Sequence, residues 1–336
     1  MSEPDVKFID ASKWIQLEWY NSGGTRAKRV LQSPDGKEWY FKCSEKKPAK
    51  NGKPEKYYKY EFWSEVIAYQ LGKQLGLDVL RYDVAVHEGV IGCISPLMIN
   101  REEEQLVEVG RYMTSLNADF LPEDNSTRNE YTFQLLEQTI NEFRLTGYWP
   151  FFFRTILFDA IIGNTDRHQE NWAFKHNSTF ITIWPEHLDQ ENEEKDQGKQ
   201  LFFRNIIGTA PIYDNGSSLA RELNDVKVDL LLADNKALAK YIDNGSAEMH
   251  WEKKKISHFR LIENLLNSPY FEEVKKAASF INLWDDKAIG KIINSVDKDL
   301  PSDWLYYCIP GQRKALIIKL LTLRSQKLNA LIHDRI

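Results

Sequence analysis

The stretch FFFRTILFDAIIGN, residues 151–164, is the strongest constraint on what this chain can fold into. Its apolar residues recur three and four apart and cover nearly the whole circumference, so the spacing predicts a helix buried on all sides. A helix of that kind needs other helices around it. QLVEVGRYM and YTFQLLEQTINEFRL upstream carry helical spacing, and residues 251–336 contain further amphipathic segments, among them KALIIKLLTLRSQKLNALI. From Pro96 onward the chain therefore reads as a mainly helical body.

Residues 14–99 have a different period. WIQLEWYNSGGTRAKRVLQSPDGKEWYFKCS alternates apolar and aromatic runs with breaks at Asn21-Ser22-Gly23-Gly24 and Pro34-Asp35-Gly36, the pattern of consecutive hairpins, with Lys42 in the last strand. YEFWSEVIAYQLGKQLGL places Phe62, Val66, Ile67, Leu71 and Leu75 at helical spacing, with Gly76 to end the helix. DVLRYDVAVHEGVIGCIS reads as two strands around Glu88-Gly89. The fold class expected is α+β and two-lobed, a small mixed β-rich lobe over residues 1–98 and a large helical lobe over residues 99–336, hinged at residues 95–100. The lysine-rich KKPAKNGKPEK should be a surface loop, and HLDQENEEKDQGKQ, residues 187–200, a solvated charged insertion. No internal repeat is visible.

At 336 residues, 42% hydrophobic and 28% charged, the chain has the composition of a folded globular protein, large enough for two lobes. A net charge of −5, from 44 basic and 49 acidic side chains, provides no global basic field for a phosphate backbone, so no direct nucleic-acid contact is expected. Cys43, Cys93 and Cys308 are odd in number and lack C-x-x-C spacing, which points away from disulfides or zinc and toward a reducing compartment. The start, MSEPDVKFID, has no signal-peptide pattern, and no apolar run approaches the roughly 20 residues of a membrane span. A cytoplasmic location is expected, with export by a route needing no N-terminal signal left open.

The segment following the buried helix, GNTDRHQENWAFKH, separates Asp166 from Asn171 by four residues. One loop can then offer a base to a hydroxyl and an amide oxygen to magnesium, the spacing of a kinase catalytic loop. The bland alternative is a turn at Gly163-Asn164 with Asp166 and Asn171 serving backbone groups. Downstream, Ile212-Tyr213 delivers Asp214 into a D-x-G turn, where a carboxylate can approach a polyphosphate and hold a divalent cation through hard oxygen. Lys42 in the apolar strand WYFKC, with Glu65 early in the next helix, matches the lysine and glutamate that phosphoryl transfer requires. Glu61, one turn away on the same face, competes for the Glu65 role, and spacing leaves the two open. The glycines of NSGGTRAK allow backbone N–H groups to approach phosphate oxygens, with Arg26 and Lys28 adding charge. Each signal is weak alone. Their order along the chain is the one that phosphoryl transfer on a two-lobed fold needs, and that order makes them strong together.

On GNTDRHQENWAF, IYDNGSSL, SEVIAYQLGKQLGL and GGTRAK, spanning roughly residues 15–265, the chain resembles the HipA-like Ser/Thr protein kinases, and among them the short stand-alone CtkA-type members. The resemblance implies a kinase fold, ATP and Mg2+ as cofactors, and a protein partner with a Ser or Thr acceptor, with an antitoxin or a host protein as a further partner. Carried over, Asp166 is the catalytic aspartate, with Lys42 and Glu65 beside it in the catalytic set. Asn171 and Asp214 are the metal ligands, and Lys42 is also the ATP lysine. Gly23, Gly24, Thr25, Arg26, Ala27 and Lys28 cover the phosphates, Pro96, Leu97 and Met98 line the adenine, and His168 and Tyr213 flank the nucleotide. Family members silence themselves by phosphorylating the glycine loop, where Ser22 and Thr25 are the nearest hydroxyls here. Two features depart from the family: the long charged loop between Asn171 and Asp214, and the lack of the separate N-terminal domain of longer HipA toxins. The D-R-H-x-x-N core also resembles phosphatidylinositol kinases, so transfer to a lipid or small molecule stays open, as does a pseudokinase that only binds nucleotide.

Overall fold

Six short strands from the first hundred residues form one sheet. The computed structural model describes residues 5–17, 28–44, 57–122, 124–183 and 200–333. The glycine segment 23–27, the lysine-rich loop and residues 187–199 of the charged insertion lie outside the described residues.

The first strands are β1 (Phe8–Asp10), β2 (Ile15–Gln16), β3 (Lys28–Gln32) and β4 (Glu38–Cys43), followed by α1 (Glu61–Gln74), β5 (Asp83–His87) and β6 (Val90–Pro96). Their order across the sheet is β1-β5-β6-β4-β3-β2. β1 runs parallel to β5 with Phe8 opposite Val84, a strand that the hairpin pattern starting at residue 14 does not reveal. β4 is interior, with Lys42 opposite Lys28 on one side and Cys93 on the other. Side chains alternate between the two faces. Val84, Val86, Ile91 and Cys93 join α1 in the main core, while Leu31, Phe41, Ala85 and Ile94 close with Ala11 into a small outer cluster. Leu75 caps α1, and Gly76 follows with φ +66°, a left-handed turn that costs glycine nothing.

Next come β7 (Glu104–Glu108) and α2 (Val109–Leu116), then α3 (Phe133–Glu142), α4 (Trp149–Ile162), β8 (Ala173–Ile183) and β9 (Gln200–Thr209). Helical spacing in QLVEVGRYM is overridden over its first residues. β7 forms the edge of a β7-β8-β9 sheet, because pairing with β8 satisfies its backbone in an extended form. The rest is helical: α5 (Asp225–Ala233), α6 (Asn235–Asn244), α7 (His258–Leu266), α8 (Phe271–Ala277), α9 (Asp286–Ser295) and α10 (Gly311–His333). α4 lies at the centre with α7, α8 and α10 against it, and Phe152, Phe153, Phe158 and Ile161 are fully buried. Each such side chain contributes about 2–3 kcal/mol relative to exposure. Among the described residues no helix is long and apolar enough to cross a membrane.

Candidate active site

Three chain segments far apart in sequence meet where α1, the end of α4 and the turn after β9 converge. α4 stops at Gly163, whose φ of +69° reverses the chain into the loop 164–171. The turn segment is pinned from the other side. Ile212 forms a parallel bridge with Val79, donating to the Asp78 carbonyl at 2.8 Å while its own carbonyl accepts from Leu80 N–H at 2.9 Å. Tyr213 and Asp214 follow directly, and Asp214 adopts φ +58°, as Leu219 (+55°) and Ala220 (+58°) do further on. Non-glycine residues in this region cost about 1 kcal/mol each, so packing must hold the segment in shape.

Lys42 reaches from β4 into this turn. Its Nζ lies 2.8 Å from Glu65 Oε1 and 3.0 Å from Asp214 Oδ1, and the three side chains are 12%, 2% and 11% exposed. Burial disfavours the ammonium, but Asp214 and then Glu65 reverse that, holding it well above the usual lysine range and fully charged. The other Glu65 oxygen accepts from Asn215 N–H at 2.8 Å, so one carboxylate ties β4, α1 and the turn together. Glu61 points elsewhere, pairing with Arg221 at 3.3 Å. The ambiguity between Glu61 and Glu65 is thus resolved by which of them reaches Lys42.

The loop 164–171 is organised by Arg167, a residue whose position in the motif carried no role in the sequence reading. Its Nε and one terminal nitrogen each donate to Asp159 at 2.9 Å, and that nitrogen also donates to Asn215 Oδ1 at 2.6 Å. Its other nitrogen donates to the carbonyls of Tyr213 and of Asn171. One buried guanidinium therefore joins the buried helix, the loop and the D-x-G turn. The signal for it was Asp159 itself: a lone carboxylate inside an apolar helix requires a buried cation. Burial pushes the Asp159 carboxyl up, and Arg167 opposes that push.

Asp166 is half-buried, and its Oδ2 accepts from Ser217 Oγ at 3.1 Å. Asn171 donates its amide N–H to the Asp166 carbonyl at 2.8 Å, which turns its amide oxygen away from that carbonyl as an acceptor. The Tyr213 hydroxyl donates to the Glu170 carbonyl at 2.5 Å, and His168, half-buried, sits 3.8 Å from Glu170. Lys42, Glu65, Asp166, Asn171, Tyr213 and Asp214 are thus brought into one bonded assembly, with His168 on the same loop.

The remaining candidates stand on or next to the sheet strands beside this assembly, or lie outside the described residues. Pro96 and Leu97 line a cavity of about 450 Å3 together with Glu38, Trp39, Asn100 and Arg101, whereas Lys42, Asp166 and Asp214 do not line it. Leu97 N–H donates to the Glu38 carbonyl at 3.3 Å, and Met98 packs half-buried against the main core. Lys28 begins β3, and Gly23, Gly24, Thr25, Arg26 and Ala27 lie outside the described residues, as does Ser22.

Among the described residues no group of three or more His, Cys, Asp and Glu side chains is arranged to hold a metal ion. Asp214 and Asn171 each carry a hard side-chain oxygen, the donor type that a divalent cation bound mainly by phosphate and water accepts from protein.

No protein-family model matches the chain, and no curated protein matches it by sequence. Among solved structures it is similar to the Helicobacter pylori proinflammatory kinase CtkA, with a TM-score of 0.71 at 18% identity over 98% of this chain and 97% of that one. HipA of Shewanella oneidensis MR-1, solved with HipB and operator DNA, aligns over 88% of this chain and 57% of its own at 11% identity, with a TM-score of 0.33 that is too low to argue from. The likeness to CtkA gives this chain a kinase-type α+β fold over nearly its whole length. The resemblance read from the motifs thus holds at the level of the fold.

Proposed function

We propose that this chain is an ATP- and magnesium-dependent protein Ser/Thr kinase of the HipA-like type. The observation that carries the reading is the contact of Lys42 with both Glu65 and Asp214, on a turn joined to the Asp166–Asn171 loop by a single buried arginine. A structural ion pair needs no such convergence of β4, α1 and two loops. In this reading Lys42 holds the α- and β-phosphates, and Glu65 keeps its ammonium charged and aimed. Asp214 and Asn171 would hold magnesium, which when bound offsets the negative charge of the transferring phosphoryl group. Asp166 orients the acceptor hydroxyl and accepts its proton, and Tyr213, through Glu170, steadies the loop that carries it. Residues 23–28 and 96–98 are assigned to the phosphates and the adenine on the resemblance alone.

The partner proposed is a protein presenting a Ser or Thr hydroxyl, with self-phosphorylation at Ser22 or Thr25 part of the same reading. Three cysteines, none of them in a disulfide, suit a reducing, cytoplasmic setting. The test is transfer of labelled phosphate from ATP to casein or myelin basic protein, set against mixed lipids. Asp166→Ala should abolish transfer to protein while nucleotide binding largely survives, and Asp214→Ala should also lose magnesium-dependent binding. Undiminished transfer by Asp166→Ala, or transfer to lipid alone, would overturn the assignment. A phosphopeptide map without Ser22 and Thr25 would remove the self-phosphorylation.

A further inference from the structure

α1 touches the segment after Asp214 at three points within about one helical turn, at Glu61, Ser64 and Glu65. Glu65 accepts from Asn215 N–H, Ser64 Oγ donates to the Ser218 carbonyl at 3.0 Å, and Glu61 pairs with Arg221 at 3.3 Å. The first of these belongs to the lysine site. The third leads to Asp166: the Arg221 terminal nitrogen donates to Ser217 Oγ at 2.8 Å, and Ser217 Oγ donates to Asp166 Oδ2 at 3.1 Å.

We propose that Glu61, Arg221 and Ser217 form a positioning relay that sets the orientation of the Asp166 carboxylate according to how α1 is seated. The proposal rests on the kinase reading for its consequence and on geometry alone for its mechanism. A hydroxyl can rotate about its Cβ–Oγ bond and donate in several directions. Arg221 occupies a lone pair of Ser217 Oγ, which leaves the hydroxyl hydrogen pointing away from the guanidinium and toward Asp166, and the cation polarises that O–H into a stronger donor. Holding Oδ2 restrains rotation of the carboxylate about its Cβ–Cγ bond, and with it the direction of its second oxygen.

Arg221 is itself held in two ways. Its guanidinium lies 4.3 Å from the centre of the Tyr58 ring, just ahead of α1, and its other terminal nitrogen meets Glu61. The Arg221 and Glu61 side chains are only 14% and 17% exposed, so solvent screens the pair less than it would a surface pair. Ser217 is 5% exposed, and its carbonyl accepts from Thr165 N–H at 3.2 Å, a second link to the same loop. Because Glu61 and Glu65 share one helix, a movement that lifts α1 off both β4 and the segment after Asp214 separates Glu65 from Lys42 and withdraws Glu61 from Arg221. Lysine and base are then set or released together.

The test uses the full chain with ATP, magnesium and myelin basic protein. Arg221→Met and Ser217→Ala should each lower kcat about tenfold while the KM for ATP moves less than about twofold, since the loss falls on the transition state rather than on nucleotide binding. Ser217→Thr and Arg221→Lys should recover much of the loss. Combining Glu61→Gln with Arg221→Met should be no worse than the second alone, because both break one chain of contacts. A kcat for Arg221→Met within about twofold of the parent, or effects that multiply in the double variant, would overturn the relay. Backbone hydrogen exchange provides a readout free of catalysis. Arg221→Met should speed exchange in residues 163–171 about tenfold and leave α4 unchanged. Unchanged exchange in that loop overturns the relay even if transfer is seen, whereas faster exchange in a chain whose parent transfers no phosphate supports the relay and rejects only the kinase reading.

Discussion

Removing the Arg167 guanidinium tests the architecture of the site most severely. In Arg167→Met the methionine fills much of the apolar volume but supplies no donor. The Asp159 carboxylate, 4% exposed like its partner, keeps only the Asn164 amide at 3.2 Å. Stranding one member of a buried pair costs about 3–5 kcal/mol. The Tyr213 carbonyl and Asn215 Oδ1 also lose a donor, adding about 1 kcal/mol each. The sum, about 5–7 kcal/mol, rivals the whole stability of many domains. Urea unfolding followed by tryptophan fluorescence should therefore report a variant that is barely folded at pH 8.

The same reasoning predicts its rescue. Without Arg167 the buried Asp159 takes up a proton more readily folded than unfolded, so its deficit should shrink as pH falls toward 5 and grow as pH rises. Adding Asp159→Leu removes the stranded charge and should recover about 2–3 kcal/mol. A loss below about 1 kcal/mol in Arg167→Met, or a double variant less stable than the single one, would refute the claim that this pair joins helix, loop and turn.

Gly92 faces Cys43 across the β4–β6 ladder, and a Cβ there would stand 2.1 Å from the Lys42 carbonyl oxygen. Gly92→Ala should push β4 away and cost about 2–3 kcal/mol, and on the proposed kinase function it should also weaken ATP binding in calorimetry at temperatures where the chain is still folded. His258 is buried at the start of α7 beside Arg324, and burial, then the arginine charge, lowers its pKa to about 3. The unfolded chain takes up this proton near pH 6.5 and the folded one does not, so stability is lost as pH falls from about 6.5 toward 3. By pH 5 the loss relative to pH 7 should be about 2 kcal/mol, and it should be absent from His258→Leu in paired unfolding curves.

The loop from Gly163 to Asn171 was legible because its chemistry is local: a left-handed glycine stops α4, and four residues separate the loop's carboxylate from its amide. Lys42 and Glu65 were legible as types but not as partners, since Glu61 lies on the same helical face and only the seating of α1 decides which carboxylate meets the ammonium. The extended form of β7 was misread because its spacing suits a helix, and a neighbouring strand supplied the backbone partners that settled it.

Periodicity, turn chemistry and motif order, all properties of neighbouring residues, were enough to determine an α+β chain with a buried central helix and the order of its candidate site residues. The network of Arg167 with Asp159, Asn215 and Tyr213, and the links from Arg221 through Ser217 to Asp166, span 46 and 48 positions from Arg167 and 51 from Ser217. Nothing in the spacing of such residues encodes their meeting. Only the packed fold brings them within bonding distance, because an interior that excludes water obliges each buried charge to find the partner that topology delivers.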